Sequence, residues 1–270
     1  MSSEHTDADR EATHTEVDPD GRPEGGPSRR RLSLWQESVL LLALAVVLAV
    51  VIKSLFLQAF YIPSASMEPG LVKDDRILVQ KVSYWFGGSP QRGDVVVFED
   101  PGGWLSPTEE TGPTNAFTSA LSAVGLYPSG GHLVKRVIGV AGDTVECCDE
   151  EGRILVNGQP LDEDTYILDE DLECNGPMPG TCTTGGWSAG PVPEGEIFVM
   201  GDNRANSADS TVHLCTEGVT DCTLDPFVST DLVVGKVFLK VWPRDRIGGV
   251  GRPASFDEVP DAEGAAVGAP

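Results

Sequence analysis

The sequence predicts a mainly β fold, in which a single N-terminal transmembrane helix is followed by an antiparallel β-domain. Two observations lead to this prediction. Residues 39–57, VLLLALAVVLAVVIKSLFL, are apolar enough to lie in a bilayer and long enough to cross a hydrocarbon core of about 30 Å. Beyond residue 61, short runs rich in β-branched residues alternate with clusters of turn residues, and no helical period of useful length appears. Such alternation is typical of a β-domain.

The segment before the apolar run predicts how the anchor is oriented. Residues 1–33 are rich in Asp, Glu, Thr, Pro and Gly and should form a disordered cytoplasmic tail. The arginines at 29–31 lie next to the apolar run, and positive residues mark the cytoplasmic end of a membrane helix. A cleaved secretory signal is the alternative, but the run is longer than its usual core and no clear small-x-small exit follows. We therefore expect residues 34–58 to be an uncleaved signal anchor in the cytoplasmic membrane, with the rest of the chain outside.

The net charge of -23 limits the classes of partner. Nucleic acid binding depends on a basic patch that neutralises phosphates, so this composition predicts no nucleic acid partner. Docking of the surface onto anionic lipid is equally disfavoured. The charge is typical of a soluble, self-repelling surface.

The exported β-domain is expected to span residues 59–248, with a flexible C-terminal tail over 249–270. Asn157 and Gly158 lie between apolar residues, which is typical of a hairpin with a primed turn. Its longer strands are predicted at 76–82, 94–99, 132–140, 196–200 and 233–242. Two segments rich in Gly and Pro interrupt the pattern, a surface loop over 101–131 and an acidic, cysteine-bearing insert over 161–195.

Cysteine usage agrees with export. The six cysteines all follow the apolar run, at Cys147, Cys148, Cys174, Cys182, Cys215 and Cys222. An even number in an exported domain favours disulfides, for which fifteen pairings are possible. Pairs 174–182 and 215–222 would close short loops and are our first expectation, whereas a bond between the adjacent cysteines would be strained. No CxxC pair occurs, which argues against a zinc site.

The segment IPSASMEPG, residues 62–70, places Ser64 and Ser66 just beyond the membrane segment. A serine hydroxyl is a poor nucleophile until a base takes its proton. Lys135 is a candidate base, because it lies in the predicted strand HLVKRVIGV, where it and Arg136 point to opposite faces. Burial disfavours the charged form of lysine, whereas arginine stays protonated. A neutral lysine beside a serine makes a Ser-Lys dyad, a variant of the triad mechanism.

Histidine is the alternative base. His132 or His213 with Asp209 would form a Ser-His-Asp arrangement, but neither histidine lies in a distinctive local sequence. The stretch GDNRANSADS, residues 201–210, directly follows a predicted strand. Its Asp, Asn, Arg and Ser side chains are suited to holding a site by local hydrogen bonds.

Three stretches, in this order behind an anchor, resemble the bacterial type I signal peptidases: PSASMEPGL, KRVIGVAGD and GDNRANSADS. The resemblance covers the anchor and residues 62–99, 132–160, 196–210 and 231–243. It implies a serine endopeptidase that cleaves N-terminal signal peptides from exported preproteins after an Ala-x-Ala-like motif, through an acyl-enzyme and without a metal or cofactor. The implied fold is an antiparallel β-domain built around a small coiled barrel. The implied partners are preprotein signal peptides, the lipid bilayer and, by proximity, the secretion translocon.

The resemblance also implies roles for single residues. Ser66 matches the nucleophile and Lys135 the general base. Ser64 matches the serine whose hydroxyl joins the Ser66 backbone N–H in the oxyanion hole, and Ser207 matches the serine that orients the lysine. Asp209 matches the acidic residue that braces the site. Four further residues match its scaffold: Gly201, Asp202, Asn203 and Arg204.

One position departs from the pattern. The family usually has an arginine after the Asp-Ser pair, whereas Ser210 is followed by Thr211 here. What braces Asp209 is therefore open, and Arg204 and Arg136 are the alternatives. The competing interpretation of the chain is a catalytically weak or inactive, membrane-anchored binding module of the same fold, which the departure favours and the intact nucleophile and base oppose.

Overall fold

The structure is a computed structural model of the 270-residue chain. It describes six parts of the chain: residues 33–85, 87–105, 115, 131–168, 186–215 and 225–262. The chain divides into two units, Met1–Ala45 and Val46–Pro270. The predicted tail before residue 33 and most of the predicted 101–131 loop lie outside the described residues.

The apolar run forms helix α1, Leu34–Phe56. Ser33 caps it, because the Gln36 backbone N–H donates to Ser33 Oγ at 3.3 Å and the Ser33 N–H donates back to Gln36 Oε1 at 3.1 Å. Within the described part of the chain, this is the one helix whose length and composition suit a membrane span, and its side chains from 34 to 51 are exposed. The helix ends two residues before the predicted boundary at 58, because the chain enters a strand at Leu57.

The strands agree with the mainly β prediction. Those predicted at 132–140, 196–200 and 233–242 form with the same bounds, because β-branched runs suit a pleated, half-buried surface. The described residues contain β1 (Leu57–Tyr61), β2 (Arg76–Gln80), β3 (Val95–Glu99), β4 (His132–Val140), β5 (Val145–Cys147), β6 (Ile154–Val156), β7 (Gln159–Pro160), β8 (Trp187–Ala189), β9 (Glu196–Met200), β10 (Val228–Ser229), β11 (Val233–Trp242) and β12 (Gly248–Gly249).

Two antiparallel sheets result. The larger has the order β1-β2-β11-β3-β4-β9-β10, with β12 pairing β11, and the smaller has the order β7-β6-β5-β8. Because β1 and β10 lie at opposite ends of this order, the described strands do not close into the predicted small barrel. The β6–β7 hairpin turns at Asn157 and Gly158, which both have positive φ, as the sequence predicts.

Buried apolar side chains hold these sheets. Residues Val95 to Phe98 of β3 are all buried, because β3 lies in the middle of the larger sheet. A second cluster joins the smaller sheet to Ile138 of β4 and Phe198 of β9. Phe256 and Val259 belong to the same cluster and are 3% and 7% exposed. The prediction of a flexible tail is therefore wrong for residues 249–262, which these two side chains fasten to the domain.

Cys147 and Cys148 form a disulfide in the structure, a pair that was not among the first expectations. Cys215 is also disulfide-bonded. Cys174, Cys182 and Cys222 lie outside the described residues, so the expected pairs 174–182 and 215–222 stay predictions.

Candidate active site

The structure brings Ser66 and Lys135 together. Lys135 Nζ donates a hydrogen bond of 2.8 Å to Ser66 Oγ, across a separation of 69 residues. Lys135 lies in the middle of β4, a strand paired with β3 on one side and β9 on the other, and it is 3% exposed. The alternation along β4 sends Lys135 and Arg136 to opposite faces as predicted, yet both are buried, because both faces of this central strand are covered.

Asn203 fastens the loop that carries the nucleophile. Its backbone N–H donates to the Ser66 carbonyl at 3.0 Å, and its Nδ2 donates to the Ala65 carbonyl at 3.2 Å. From the other side, Met67 and Leu71 pack into the core and are each 1% exposed. The loop is therefore held by hydrogen bonds at the serine and by burial directly after it. The sequence predicted Asn203 as a scaffold residue of the site but did not predict its hydrogen bonds to Ala65 and Ser66.

The two other predicted serines lie close to the nucleophile. Ser64 Oγ is 3.3 Å from Ser66 Oγ on the exposed side of the loop. Ser207 is buried, and its hydroxyl makes no hydrogen bond to the described atoms, so the predicted bond to Lys135 is not formed in this structure. A Cβ placed on Gly201 would lie 2.3 Å from Ser207 Oγ and 2.4 Å from the Ser66 carbonyl oxygen. Gly201 is thus the point where these segments meet, and only glycine fits there.

Asp209 is held by neutral donors. The Gly201 N–H donates to Asp209 Oδ2 at 2.9 Å. Thr211 donates twice to Oδ1, from its backbone N–H at 3.0 Å and from its hydroxyl at 2.7 Å. Asp209 also caps the short 3-10 turn Ser210–His213, which explains why a residue with two acceptor oxygens stands at this position.

Neither arginine considered from the sequence braces Asp209. Arg136 forms a bidentate pair with Asp202, with both N–O distances at 2.7 Å, and donates to the Gly93 carbonyl at 2.8 Å. Arg204 forms a bidentate pair with a different carboxylate, that of Glu163, at 2.6 and 2.9 Å. Both guanidinium groups are buried and committed to these partners.

Glu163 is a site-supporting residue that sequence reasoning missed, because it lies in the predicted insert 161–195. Tyr166 donates its hydroxyl to Glu163 Oε1 at 2.5 Å, and Arg136 lies 4.5 Å from the centre of the Tyr166 ring. Burial and the Glu163 carboxylate raise the pKa of Tyr166 well above its usual range, which keeps the hydroxyl a donor. The start of the segment is therefore not an external insert. The apolar pattern at Leu161, Tyr166 and Ile167 was the feature of the sequence that could have indicated this packing.

The same segment contacts the nucleophile loop. Ile167 forms a β-bridge with Pro69, and the Leu168 N–H donates to the Asp202 carbonyl at 2.9 Å. Residues 163–168 thus lie between the loop that carries Ser66 and the loop that begins at Gly201. Beyond Leu168 the insert, through residue 185, lies outside the described residues.

The histidines occupy other environments. The His213 ring stacks on Trp104, with centroids 4.4 Å apart, and burial lowers its pKa although Asp209 and Asp100 oppose the shift. The His132 ring lies against Phe60, with centroids 5.2 Å apart. The hydrogen bond to the Ser66 hydroxyl comes instead from Lys135, which favours the dyad over the Ser-His-Asp arrangement. Across the described ranges, no three His, Cys, Asp or Glu side chains are grouped so that they could hold a metal ion.

Comparison with known proteins identifies a family for this chain. Residues 35–242 match the family described as "Signal peptidase, peptidase S26". A "Probable signal peptidase I" of Mycobacterium leprae is 39% identical over 246 residues, covering 83% of this chain and 81% of the relative. A "Signal peptidase I" of Mycobacterium tuberculosis is 40% identical over 232 residues, covering 82% and 77%. A solved signal peptidase I from Enterococcus faecalis shares 23% identity and covers 54% of this chain and 95% of its own, with a TM-score of 0.28.

Proposed function

The chain belongs to the signal peptidase family, peptidase S26, and on that premise we propose that it cleaves signal peptides with Ser66 as nucleophile and Lys135 as general base. The family and the relatives make the protein a serine endopeptidase of the signal peptidase I type, and the apolar helix indicates anchoring to a membrane. The observation that carries the assignment of the dyad is the 2.8 Å hydrogen bond between Lys135 Nζ and Ser66 Oγ.

The reaction follows from the chemistry of the two groups. Lys135 is 3% exposed, and burial favours the neutral amine that a base requires. The amine accepts the Ser66 hydroxyl proton while Oγ attacks the scissile carbonyl. The resulting ammonium then gives its proton to the leaving amine, and an acyl-enzyme forms on Ser66. Lys135 next takes a proton from water, whose oxygen attacks the ester carbonyl, and the signal peptide leaves as a carboxylate when Oγ regains its proton.

Ser64 is placed to stabilise the charge that develops on the substrate oxygen. Its hydroxyl is 3.3 Å from Ser66 Oγ on the exposed side of the loop, where a substrate carbonyl would approach. We assign the oxyanion hole to this hydroxyl and the Ser66 backbone N–H, a type of interaction that contributes about a hundred- to a thousandfold in kcat.

The proposal also places the reaction at the outer face of the cytoplasmic membrane. Ser66 follows the last residue of α1, Phe56, by ten residues, which supports a nucleophile near the bilayer surface where a signal peptide ends. The arginines at 29–31 support a cytoplasmic N-terminus and an external domain over residues 59–248. An extended preprotein would add as a further strand, with shallow pockets that read alternate small side chains of an Ala-x-Ala motif. Since preproteins arrive through the secretion translocon, we place the enzyme beside it.

Cleavage of an Ala-x-Ala preprotein by the detergent-solubilised full chain tests the dyad. We expect correct cleavage by the parent and a loss of at least roughly a thousandfold in Ser66→Ala and in Lys135→Ala. Lys236→Ala is the matched control, because this lysine of β11 pairs with the Asp94 carboxylate and not with a serine. Full activity of Lys135→Ala would overturn the dyad and would make His132 or His213 the candidate base. An inert parent would instead favour the binding module.

A further inference from the structure

We propose that Thr211 is a positioning residue for the cleavage reaction, which holds the Asp209 carboxylate and through it the backbone of the active site. The inference rests on the proposed function of Ser66 and Lys135 and adds a residue that the sequence pattern assigned no role.

Among the described residues, the Asp209 carboxylate has three donors, and it is shielded from solvent. Asp209 is 1% exposed and Thr211 is fully buried. Two of the three hydrogen bonds come from Thr211, and the shortest, 2.7 Å, comes from its hydroxyl. Hydrogen bonds to an ionised acceptor are roughly twice as strong as bonds between neutral groups. Thr211 therefore supplies two hydrogen-bond donors to Asp209 at the position where the family usually has an arginine.

The two buried arginines of the site do not share this task. Arg136 gives its Nε and one terminal nitrogen to Asp202, and Arg204 gives both terminal nitrogens to Glu163. The remaining nitrogens also have partners, since Arg136 Nη1 donates to the Gly93 carbonyl and Arg204 Nε donates to the Gly201 carbonyl. Thr211 is accordingly the side chain that fixes the orientation of Asp209.

Gly201 connects Asp209 to the reacting atoms. Its N–H donates to Asp209 Oδ2, and its Cα lies so near Ser66 and Ser207 that an added Cβ would come within 2.4 Å of the Ser66 carbonyl oxygen. A rotation of the carboxylate would release this N–H and let the Gly201 backbone move. Because the backbone is packed against Ser66, that movement would shift Oγ relative to Lys135 Nζ. Misplacement by about 1 Å can cost a hundredfold in rate.

The test compares a substitution that removes the Thr211 hydroxyl with one that keeps it. Thr211→Val keeps the shape and the backbone N–H but removes the 2.7 Å bond. We expect kcat to fall roughly ten- to a hundredfold with KM within about twofold, because the bond positions reacting groups and does not bind substrate. Thr211→Ser keeps the hydroxyl and should recover kcat to within roughly threefold of the parent. Thr230→Val is the matched control, because its hydroxyl donates to the Gly195 carbonyl and not to Asp209.

A double-mutant cycle shows whether Thr211 acts through Asp209. In an Asp209→Asn background, the further change Thr211→Val should lower kcat less than about threefold, since the two residues then act as one unit. Additive losses would overturn the inference, as would a Thr211→Val enzyme with the kcat of the parent. An inert parent in the same assay would overturn the proposed function, so the two failures are distinguishable. If Thr211→Val does not fold, failure of Thr211→Ser to retain kcat in a folded protein would equally overturn the inference.

Discussion

The ion pair between Glu163 and Arg204 allows a stability prediction with a defined magnitude. Both side chains are almost fully buried, at 3% and 1% exposure, and two N–O contacts of 2.6 and 2.9 Å join them. Glu163 additionally accepts the Tyr166 hydroxyl. Substitution Glu163→Gln preserves the shape of the side chain but leaves the Arg204 guanidinium buried opposite a neutral amide.

Removing one partner of a buried pair costs about 3–5 kcal/mol, because the remaining charge loses its hydrogen-bonded counter-charge in a site shielded from water. For a domain of this size each kcal/mol lowers the melting temperature by about 2–4 °C, so the expected decrease is roughly 6–20 °C. Replacing both residues by methionine should recover only part of the loss, because it removes the unpaired charge but leaves the Tyr166 hydroxyl and the Gly201 carbonyl without their partners.

Thermal unfolding of the detergent-solubilised full chain, followed by near-UV circular dichroism, measures these differences. The control is Glu151→Gln, which removes an exposed carboxylate 3.2 Å from Arg153 and should change stability by at most about 1 kcal/mol. Equal melting temperatures for Glu163→Gln and the control would refute the assignment of residues 163–168 to the support of the active site.

Two further predictions concern Gly201 and His213. Gly201→Ala should lower kcat at least roughly a hundredfold, because the new Cβ would lie 2.3 Å from Ser207 Oγ and 2.4 Å from the Ser66 carbonyl oxygen. Gly248→Ala, where a Cβ meets nothing within 4 Å, is the control in the same cleavage assay, and equal kinetics for both would contradict the packing argument. Burial lowers the pKa of His213 in the folded protein, so as the pH falls below about 6.5 the unfolded chain binds a proton before the folded one does. The free energy of unfolding therefore decreases between that pH and the lowered pKa of the folded state. His213→Phe should keep the stacking on Trp104, and its melting temperature should decrease less than that of the parent between pH 7.5 and 5.5. Equal decreases in melting temperature for the two proteins would contradict the expected role of the imidazole.

The sequence predicted what depends on local pattern. Strand β4 and the opposite directions of Lys135 and Arg136 follow from β-branched residues and a period of two. The turn at Asn157 and Gly158 follows from two residues that tolerate positive φ. These features need no knowledge of distant parts of the chain.

The missed features depend on long-range contacts. Arg204 pairs with Glu163 across 41 residues, and nothing near either residue in the sequence identifies its partner. Phe256 and Val259 pack the C-terminal segment onto the domain. Two isolated apolar residues form no helical or strand period, so the sequence around them cannot be distinguished from that of a flexible tail. Strand β1 was missed because Leu57–Tyr61 directly continues the apolar run and its partner, β2, supplies the ladder that makes it a strand.

Two lysines at equivalent positions on either side of β3 in the large sheet have different hydrogen-bond partners. Lys236 of β11 and Lys135 of β4 both pair with Val96 of β3, from opposite sides, so the three side chains share one face of the sheet. With strands about 4.8 Å apart, the two lysines are separated by roughly 10 Å. Lys236 Nζ donates to the Asp94 carboxylate at 2.6 Å. Lys135 Nζ donates to the Ser66 hydroxyl at 2.8 Å, and this lysine is 3% exposed. The hydrogen-bond partner of each amine, and not its position in the sheet, therefore distinguishes the two lysines, and contact with Ser66 is why we propose Lys135 as the base.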